Sequence, residues 1–301
     1  MELTAFAPGI YPRSEALVQA TRDLDRGRTT AEAVDEQFRR DLEELVRVQE
    51  SAGLDPLADG MLRWQDLFRP LAEATRGLEA RPLTRFLDTN TFYRAVLVEH
   101  EPELEEPLAP PALPARRWLG TLPSPFAFAR ASNDAVNATT LAERVLAPQI
   151  ESWAAAGCAL VVLAEPFLPR DPEHAPELRE ALERLPRPTR LAVQFTFGDA
   201  APLLAGAAAL PVDAVGVDFY ATAADAVPDG FPKQLLAGVV DARSSALEDP
   251  LELRRFAEEL GRRAPAVALV PNGDLQFVPE PIAREKLTRL GRARAPEQAA
   301  A

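Results

Sequence analysis

Polar side chains directly follow a series of short apolar runs in the second half of the sequence. They are Glu165, Gln194, Asp218, Asp241 and Asn272. Runs rich in β-branched residues that alternate with helical spacing are typical of parallel strands buried on both faces. The carboxyl ends of such strands converge on one face of the fold, so we expect these carboxylates and amides to share a cavity. Polar groups that converge in this way hold and orient a small molecule.

Two of these acids need a partner or a pocket. Asp218 and Asp241 each follow a buried apolar run, where an unpaired carboxylate is costly. We therefore expect them either to line the pocket or to pair with Arg243. Tyr220 follows the same strand end as Asp218, where its ring either stacks on a flat ligand or packs against the protein.

A second group of polar residues occurs earlier in the chain, around Asp59. Asp59 is followed closely by Arg63, Gln65 and Asp66. Such a group either binds a polar ligand or caps and neutralises its own members, and the spacing leaves both interpretations open. We include Asp59 among the candidate ligand-binding residues.

The elements that must position these residues fit an α/β barrel. Apolar runs near residues 3, 54, 118, 159, 191, 214, 237 and 267 predict about eight strands, the number that closes a (β/α)8 TIM-type barrel. Ser14 and Thr30 are good N-caps for two helices, which predict an N-terminal helical extension. Residues 83–98 predict a strand or hairpin. We expect one barrel domain over 1–291, with a Pro- and acid-rich connection at 101–117 and a flexible tail at 292–301.

Composition excludes several classes of partner. The 301 residues include 33 Lys and Arg against 46 Asp and Glu, and the net charge of −13 repels nucleic acid and anionic lipid. Cys158 is the single cysteine, which excludes a disulfide framework and fits a reducing compartment. No stretch approaches the ~18 unbroken apolar residues of a membrane span, and the N-terminus lacks a secretory leader pattern. We expect a soluble cytoplasmic protein.

Several segments, spread over the chain, resemble the cobalamin-independent methionine synthase family. They are residues 11–14, 49–60, 155–166, 238–241 and 271–275. Members of that family transfer a methyl group from methyl-tetrahydrofolate to homocysteine on a zinc-activated thiolate. Full-length members contain two barrels, and this chain has the size of one. The resemblance implies an α/β barrel in methionine biosynthesis, with a folate-like or amino-acid-like ligand.

The zinc ligands of the family's catalytic barrel are a His, two Cys and a Glu. The matching positions here hold Gln194, Thr196, Asp218 and Gly273, and of these only Asp218 is a good ligand for a divalent ion. A catalytic zinc site needs about three protein ligands, preferably with nitrogen or sulfur donors. We therefore expect no family-type zinc site and assign neither a cofactor nor a catalytic residue. Folate remains a candidate ligand.

The resemblance also implies roles for two charged residues. Arg13 matches a Pro-Arg motif that lies near the glutamate tail of folate in the family's N-terminal barrel, although a surface arginine at a helix start is an equal alternative. Glu165 matches the second acid of an Asp-Glu-Pro segment that handles the homocysteine amino group or the pterin, but Ala164 replaces the first acid.

Three hypotheses about function remain open from the sequence. In the first, the barrel transfers a methyl group, or binds the reactants, through a site other than the usual zinc. In the second, it is a non-catalytic subunit that supports a zinc-bearing partner. The third is an enzyme like the related uroporphyrinogen decarboxylases, because fold alone does not fix function.

Overall fold

The computed structural model describes residues 2–113 and 116–294. The strands are β1 (Glu2–Ala5), β2 (Thr75–Arg85), β3 (Phe92–Leu104), β4 (Trp118–Pro123), β5 (Cys158–Glu165), β6 (Arg190–Phe195), β7 (Ala214–Asp218), β8 (Gln234–Val240) and β9 (Ala266–Pro271). The α-helices are α1 (Glu15–Asp25), α2 (Ala31–Ser51), α3 (Arg69–Glu73), α4 (Pro125–Ala131), α5 (Ala138–Leu141), α6 (Ala147–Ala155), α7 (Ala175–Glu183), α8 (Ala201–Ala207), α9 (Pro250–Leu260) and α10 (Glu280–Arg294), and a π-helical turn (Ala142–Leu146) joins α5 to α6.

Seven parallel strands form a curled sheet in the order β1-β9-β8-β7-β6-β5-β4. The gap between β1 and β4 is bridged by the segment 55–58. Asp55 N donates to Ala5 O of β1 at 3.0 Å, and Leu57 N donates to Arg117 O beside β4 at 3.0 Å. The predicted α/β barrel class is confirmed. The predicted strand near residue 54 is reduced to one bridge at Leu57, because Pro56 has no N–H for a ladder.

The interior of the barrel is filled by alternate residues of the curled sheet. Leu160 and Val162 of β5 belong to this inner cluster, whereas Val161 and Leu163 join the larger cluster that packs under the helices. This alternation follows from the two-residue period of a strand. The inner cluster consists of Phe6, Ala58, Leu119, Leu160, Val162, Ala192, Ala214, Leu236, Ala268 and Val270.

The predicted N-terminal helices lie between β1 and the closing segment. The hydroxyls of Ser14 and Thr30 accept the N–H groups of Leu17 at 3.1 Å and Ala33 at 3.3 Å, so both act as the expected N-caps. At the other end of the chain, α10 continues through Arg294. The first three residues of the predicted tail are therefore helical, and the prediction for 295–301 concerns residues outside the described ranges.

An antiparallel hairpin, β2–β3, stands outside the barrel sheet. It is longer than the 83–98 segment expected from the sequence, because Thr75 pairs with Leu104 at its base. The predicted 101–117 connection therefore starts inside β3, and its residues Pro114 and Ala115 lie outside the described ranges. Leu108 of this connection is held to the barrel by Gln149, whose Oε1 accepts Leu108 N at 2.7 Å.

Across residues 2–113 and 116–294, no helix has the combined length and apolar character that crossing a bilayer requires.

Candidate ligand-binding mouth of the barrel

A cleft opens at the carboxyl ends of the barrel strands, which we call the mouth. The space in and directly around it is about 360 Å³, open solvent included. Residues from the ends of β1, β4, β5, β6 and β9 line it, together with Phe86 from the hairpin. The lining residues are Pro8, Gly9, Leu67, Phe86, Thr121, Ala164, Pro166, Gln194, Thr196, Phe197, Gly273 and Asp274. Of the nine predicted ligand-binding residues, Gln194 is the one that lines this cleft.

Gln194 is placed on the cleft by β6 and fixed by the neighbouring strands. Its Nε2 donates to Pro271 O at 2.8 Å. Gly216 of β7 makes room for it, because a Cβ at Gly216 would lie 2.6 Å from Gln194 Cγ. Thr196 follows two residues later and also lines the cleft. The mouth therefore presents an amide and a hydroxyl side by side.

Asp274 is the one ionisable residue among those that line the cleft. Its Oδ1 accepts Ile10 N at 3.0 Å and its Oδ2 accepts Gln276 Nε2 at 3.3 Å. Burial raises the pKa of Asp274 to about 6. Gly9 makes this position possible, because a Cβ there would lie 2.3 Å from Asp274 Oδ1. Thr121 Oγ1 accepts Gly9 N at 3.0 Å and completes the wall.

Asp274 and Thr121 were not among the residues chosen from the sequence. The Asn-Gly-Asp run after β9 indicates first of all a tight turn. The signal that identifies Asp274 is the Pro8-Gly9 break after β1, because β1 and β9 are neighbours in the sheet. That pairing brings the loops after the first and last strands together.

Asp218, Asn272, Arg243 and Asp241 form a cluster beside the cleft, which we call the rim cluster. Asp218 Oδ1 accepts Asn272 Nδ2 at 2.9 Å and Tyr220 N at 3.0 Å. Its Oδ2 lies 3.5 Å from Arg243 Nη2. Burial raises the pKa of Asp218, and the hydrogen bonds from Asn272 and Tyr220 N and the charge of Arg243 oppose that shift. Four predicted residues thus lie together, and Asp218 is surrounded by protein donors.

Arg243 joins the rim cluster to the cleft wall. Its backbone N donates to Asp241 Oδ1 at 3.0 Å, and its Nε lies 3.9 Å from the same oxygen. The guanidinium carbon is 5.3 Å from the ring centroid of Phe197, a cation–π contact. Asn272 Oδ1 accepts Ala242 N at 2.8 Å, so Asn272 also holds the start of the loop after β8.

Tyr220 points away from the cleft. Its hydroxyl donates to Glu248 Oε1 at 3.3 Å, and the ring is 52% exposed. Burial of the hydroxyl and the neighbouring carboxylates raise the pKa of Tyr220. Glu248 Oε1 also accepts Asp241 N at 2.9 Å and lies 2.7 Å from Lys286 Nζ. Tyr220 thus belongs to a hydrogen-bonded group around Glu248 that fixes Asp241 of the rim cluster.

Glu165 is directed away from the cleft despite its position at the end of β5. It is fully buried and accepts the N–H groups of Phe167 and Leu168, both at 2.9 Å, and the hydroxyl of Ser124. Burial raises its pKa. Ala164, the preceding residue, is the one that lines the cleft. The acid that this chain lacks relative to the family is therefore the one at the cleft-facing position.

Arg13 and Asp59 support loops near the mouth. Arg13 donates through Nε to Leu62 O at 2.7 Å and through Nη2 to Trp64 O at 3.0 Å. Burial lowers the pKa of Arg13. Asp59 Oδ1 accepts Met61 N at 2.9 Å, and burial raises the pKa of Asp59. Neither residue lines the cleft.

The donor set at the mouth does not fit the zinc that the family resemblance implies. The positions that match the ligands are an amide, a hydroxyl, a carboxylate and a glycine, at 194, 196, 218 and 273. Asp218 is already bound by Asn272 and Arg243. Within 2–113 and 116–294, no three His, Cys, Asp or Glu side chains are grouped as metal ligands. Cys158 lies at the start of β5, at the end of that strand opposite the mouth, and burial raises its pKa to about 11.

A curled parallel sheet with a cleft at its carboxyl ends defines an α/β-barrel protein, and several solved structures share this fold. The fold matches a B12-independent methionine synthase from Shewanella sp. W3-18-1, solved in complex with selenomethionine, with a TM-score of 0.73 over 98% of this chain and 97% of that chain, at 14% identity. It also matches a Listeria monocytogenes protein assigned as a vitamin-B12-independent methionine synthase, with a TM-score of 0.64 over 98% of both chains at 14% identity. A methyltransferase from Methanosarcina mazei matches with a TM-score of 0.57 over 97% and 93%, at 14% identity.

A comparison of sequences finds the same class of protein as the comparison of folds. The chain is 34% identical over 209 residues to the 5-methyltetrahydropteroyltriglutamate–homocysteine methyltransferase of Mycolicibacterium paratuberculosis. The match covers 60% of this chain and 27% of that protein, so the chain spans about a quarter of the length of this relative. No protein-family profile matches the chain. The resemblance to cobalamin-independent methionine synthases is confirmed, in sequence over part of the chain and in fold over nearly all of it.

Proposed function

We propose that this protein is a methionine synthase-like barrel whose mouth binds a methionine-like amino acid. The observation that carries the proposal is the composition of the cleft. Asp274 supplies its one ionisable group, and Gln194 and Thr196 supply neutral polar groups. A partly buried carboxylate gains from a cationic partner, and the ammonium group of an amino acid is such a partner. The selenomethionine in the Shewanella structure supports the same class of ligand.

The apolar walls of the cleft suit the side chain of that ligand. Leu67, Phe86 and Phe197 line the cleft together with the polar groups. A thioether makes favourable contacts with aromatic rings. A folate, whose glutamate tail carries a net negative charge, fits less well than a zwitterionic amino acid. None of the lining residues is cationic, and the guanidinium of Arg13 is bound by backbone carbonyls. Folate therefore ranks second as the ligand.

In this proposal, the predicted binding residues have two kinds of role. Gln194 contacts the ligand directly. Asp218, Asp241, Arg243 and Asn272 hold the loops after β7, β8 and β9 in the positions that shape the mouth. They act through the rim cluster and do not touch the ligand.

We further propose that the barrel binds its ligand without performing zinc-dependent methyl transfer. A thiol with a pKa near 8.5 is mostly protonated at neutral pH, and the mouth offers no set of nitrogen or sulfur donors for a metal that would remove that proton. Asp274 and Gln194 bind and orient, and the apolar walls exclude water. The expected compartment is the cytoplasm.

A second candidate role is a non-catalytic subunit for a zinc-bearing partner. The match to about a quarter of a longer methyltransferase favours it, because this chain supplies one barrel-sized part of that protein. Copurification of a second barrel protein with bound zinc would support this role.

Calorimetric titration with L-methionine, homocysteine and methyl-tetrahydrofolate tests the proposal. We expect L-methionine to bind and Asp274→Asn to weaken its binding by about tenfold, the loss of one charge-assisted contact. Asp229→Asn is the matched control, because Asp229 is 89% exposed and lies outside the cleft. Stoichiometric zinc after dialysis, together with methionine formation from the other two compounds, would overturn the binding role.

A further inference from the structure

The tip of the β2–β3 hairpin, residues 86–91, reaches the mouth through Phe86. Phe86, at the start of the tip, is 8% exposed although it lies at the end of a largely exposed hairpin. Its ring packs edge to face against Phe197, with 5.4 Å between centroids, and against Phe167 at 6.1 Å. Phe86 lines the cleft. The hairpin therefore supplies a wall that the barrel strands do not.

One ion pair holds the tip to the barrel. Asp88 Oδ1 lies 3.0 Å from Arg170 Nη2, and Arg170 Nε donates to Phe197 O at 3.3 Å. The two charged side chains are 69% and 40% exposed. An ion pair this exposed contributes little free energy. The aromatic contacts of Phe86 thus provide most of the attachment.

The tip is closed by its own hydrogen bonds and is joined to the body of the hairpin at two places. Arg85 Nε at the end of β2 donates to Thr89 O at 2.7 Å, and the ring of Phe86 lies 6.1 Å from that of Tyr93 in β3. Within the tip, Phe86 N donates to Thr91 O at 2.9 Å, and Thr89 Oγ1 donates to Phe86 O at 2.6 Å. The body of the hairpin is fixed separately, since Arg94 N donates to Asp66 Oδ2 at 3.0 Å. The two-stranded ribbon is not part of the barrel sheet, so displacing its tip breaks no barrel ladder.

Two further features distinguish the tip from the rest of the hairpin. Leu87 has a φ of 50°, a left-handed conformation that is unfavourable for a residue with a Cβ. Strain of this kind clusters at switch segments and ligand-binding sites. Phe92, which directly follows the tip, is 52% exposed, so its ring does not anchor the tip to the barrel.

We propose that residues 86–91 are a gate over the mouth and that the ring of Phe86 limits the size of the ligand that enters. The gate opens when the Phe86 contacts and the Asp88–Arg170 pair separate, and it closes over a bound ligand. This inference rests on one part of the proposed function, namely that the mouth binds a ligand. The opening itself is measurable without a ligand.

Thiol labelling measures the opening. Thr121 lines the cleft and is 4% exposed, so Thr121→Cys in a Cys158→Ala background places one thiol behind the gate. Its alkylation by iodoacetamide is followed by mass spectrometry in the full chain. If Thr121→Cys fails to fold, Thr196→Cys serves the same purpose.

Three further variants, each made in that background, separate gate movement from other effects. Asp88→Ala removes no lining atom, and we expect labelling about two- to fivefold faster, as the loss of one exposed ion pair allows. Phe86→Ala removes the aromatic contacts and should accelerate labelling about tenfold. Leu83→Ala, on the exposed body of the same hairpin, is the matched control and should leave the rate unchanged. Equal rates in all variants would overturn the gate.

Stopped-flow binding of L-methionine separates this inference from the proposed function. Faster association in Asp88→Ala than in the unmodified chain supports the gate. Association at equal rates in Asp88→Ala, Phe86→Ala and the unmodified chain would count against it. Accelerated labelling with no methionine binding in any variant would instead support the gate and refute the proposed ligand.

Discussion

The two sides of the mouth use their polar groups differently. On the side of β7 and β8, Asp218 and Asn272 bind each other and the surrounding backbone. On the side of β1, β6 and β9, Gln194, Thr196 and Asp274 line an open cleft. Both sides carry carboxylates and amides near the ends of parallel strands. The first side shapes the mouth, whereas the second has polar groups that face the cleft.

This difference separates residue type from residue role. Asp218 sits at the position that matches the family's glutamate ligand, yet its oxygens face Asn272, Tyr220 N and Arg243. Asp274 sits in a turn and lines the cleft. Removing an acid should therefore destabilise the fold on the first side, whereas on the second side it should lower ligand affinity without destabilising the fold.

The largest loss of stability is expected from Asp218→Ala, on the side of β7 and β8. The substitution leaves the Asn272 amide and Tyr220 N without their acceptor and Arg243 without a buried partner, which should cost about 3 kcal/mol of unfolding free energy. Urea denaturation measures it. Asp229→Ala, at an exposed acid, is the control. A loss for Asp218→Ala no larger than that of the control would contradict the assignment of the rim cluster as a structural network.

A smaller effect of opposite sign is expected at Asp274, and it depends on pH. The pKa of Asp274 is raised from 3.8 to about 6, so the folded state binds this proton more tightly than the unfolded state. Ionising Asp274 therefore costs the folded state free energy. This cost is absent below about pH 4, grows as pH rises to 6 and then stays constant. Discounted for its partial exposure, it amounts to about 2 kcal/mol above pH 6.

Asp274→Asn removes this cost and keeps an acceptor for Ile10 N. The variant should therefore be more stable than the unmodified chain at pH 7.5, with the advantage fading as pH falls to 4. Urea denaturation at several pH values checks the trend. Asp229→Asn is the control, and its stability relative to the unmodified chain should not show this dependence on pH. An advantage of the same size at pH 4 and pH 7.5 would show that titration of Asp274 is not its cause.

The fold followed largely from sequence patterns because those patterns report burial. The runs before Glu165, Asp218 and Asn272 alternate with helices, and all became barrel strands. The segment near residue 54 departs because Pro56 interrupts its ladder. The sequence predicted only part of the hairpin, since an exposed two-stranded ribbon needs no regular apolar alternation.

The site was less predictable, because strand-end position does not fix side-chain direction. Glu165 and Ala164 are neighbours, and successive side chains of a strand point to opposite faces. Ala164 lines the cleft, whereas Glu165 accepts a hydrogen bond from Ser124. Asp274 depends on a contact with Gly9 across 265 residues of chain, which no local pattern reveals. This contact follows from the pairing of β1 with β9.

The smallest effect is expected from Arg13→Lys, which tests whether a charge near the mouth is part of the ligand site. Lysine keeps the positive charge but cannot reproduce the two directed hydrogen bonds to Leu62 O and Trp64 O. We expect a loss of about 1 kcal/mol in unfolding free energy, with unchanged affinity for both L-methionine and methyl-tetrahydrofolate. Arg63→Lys, at a more exposed arginine that also stacks on Phe38, is the matched control. A specific loss of folate affinity in Arg13→Lys would return Arg13 to the ligand site and favour folate over the amino acid.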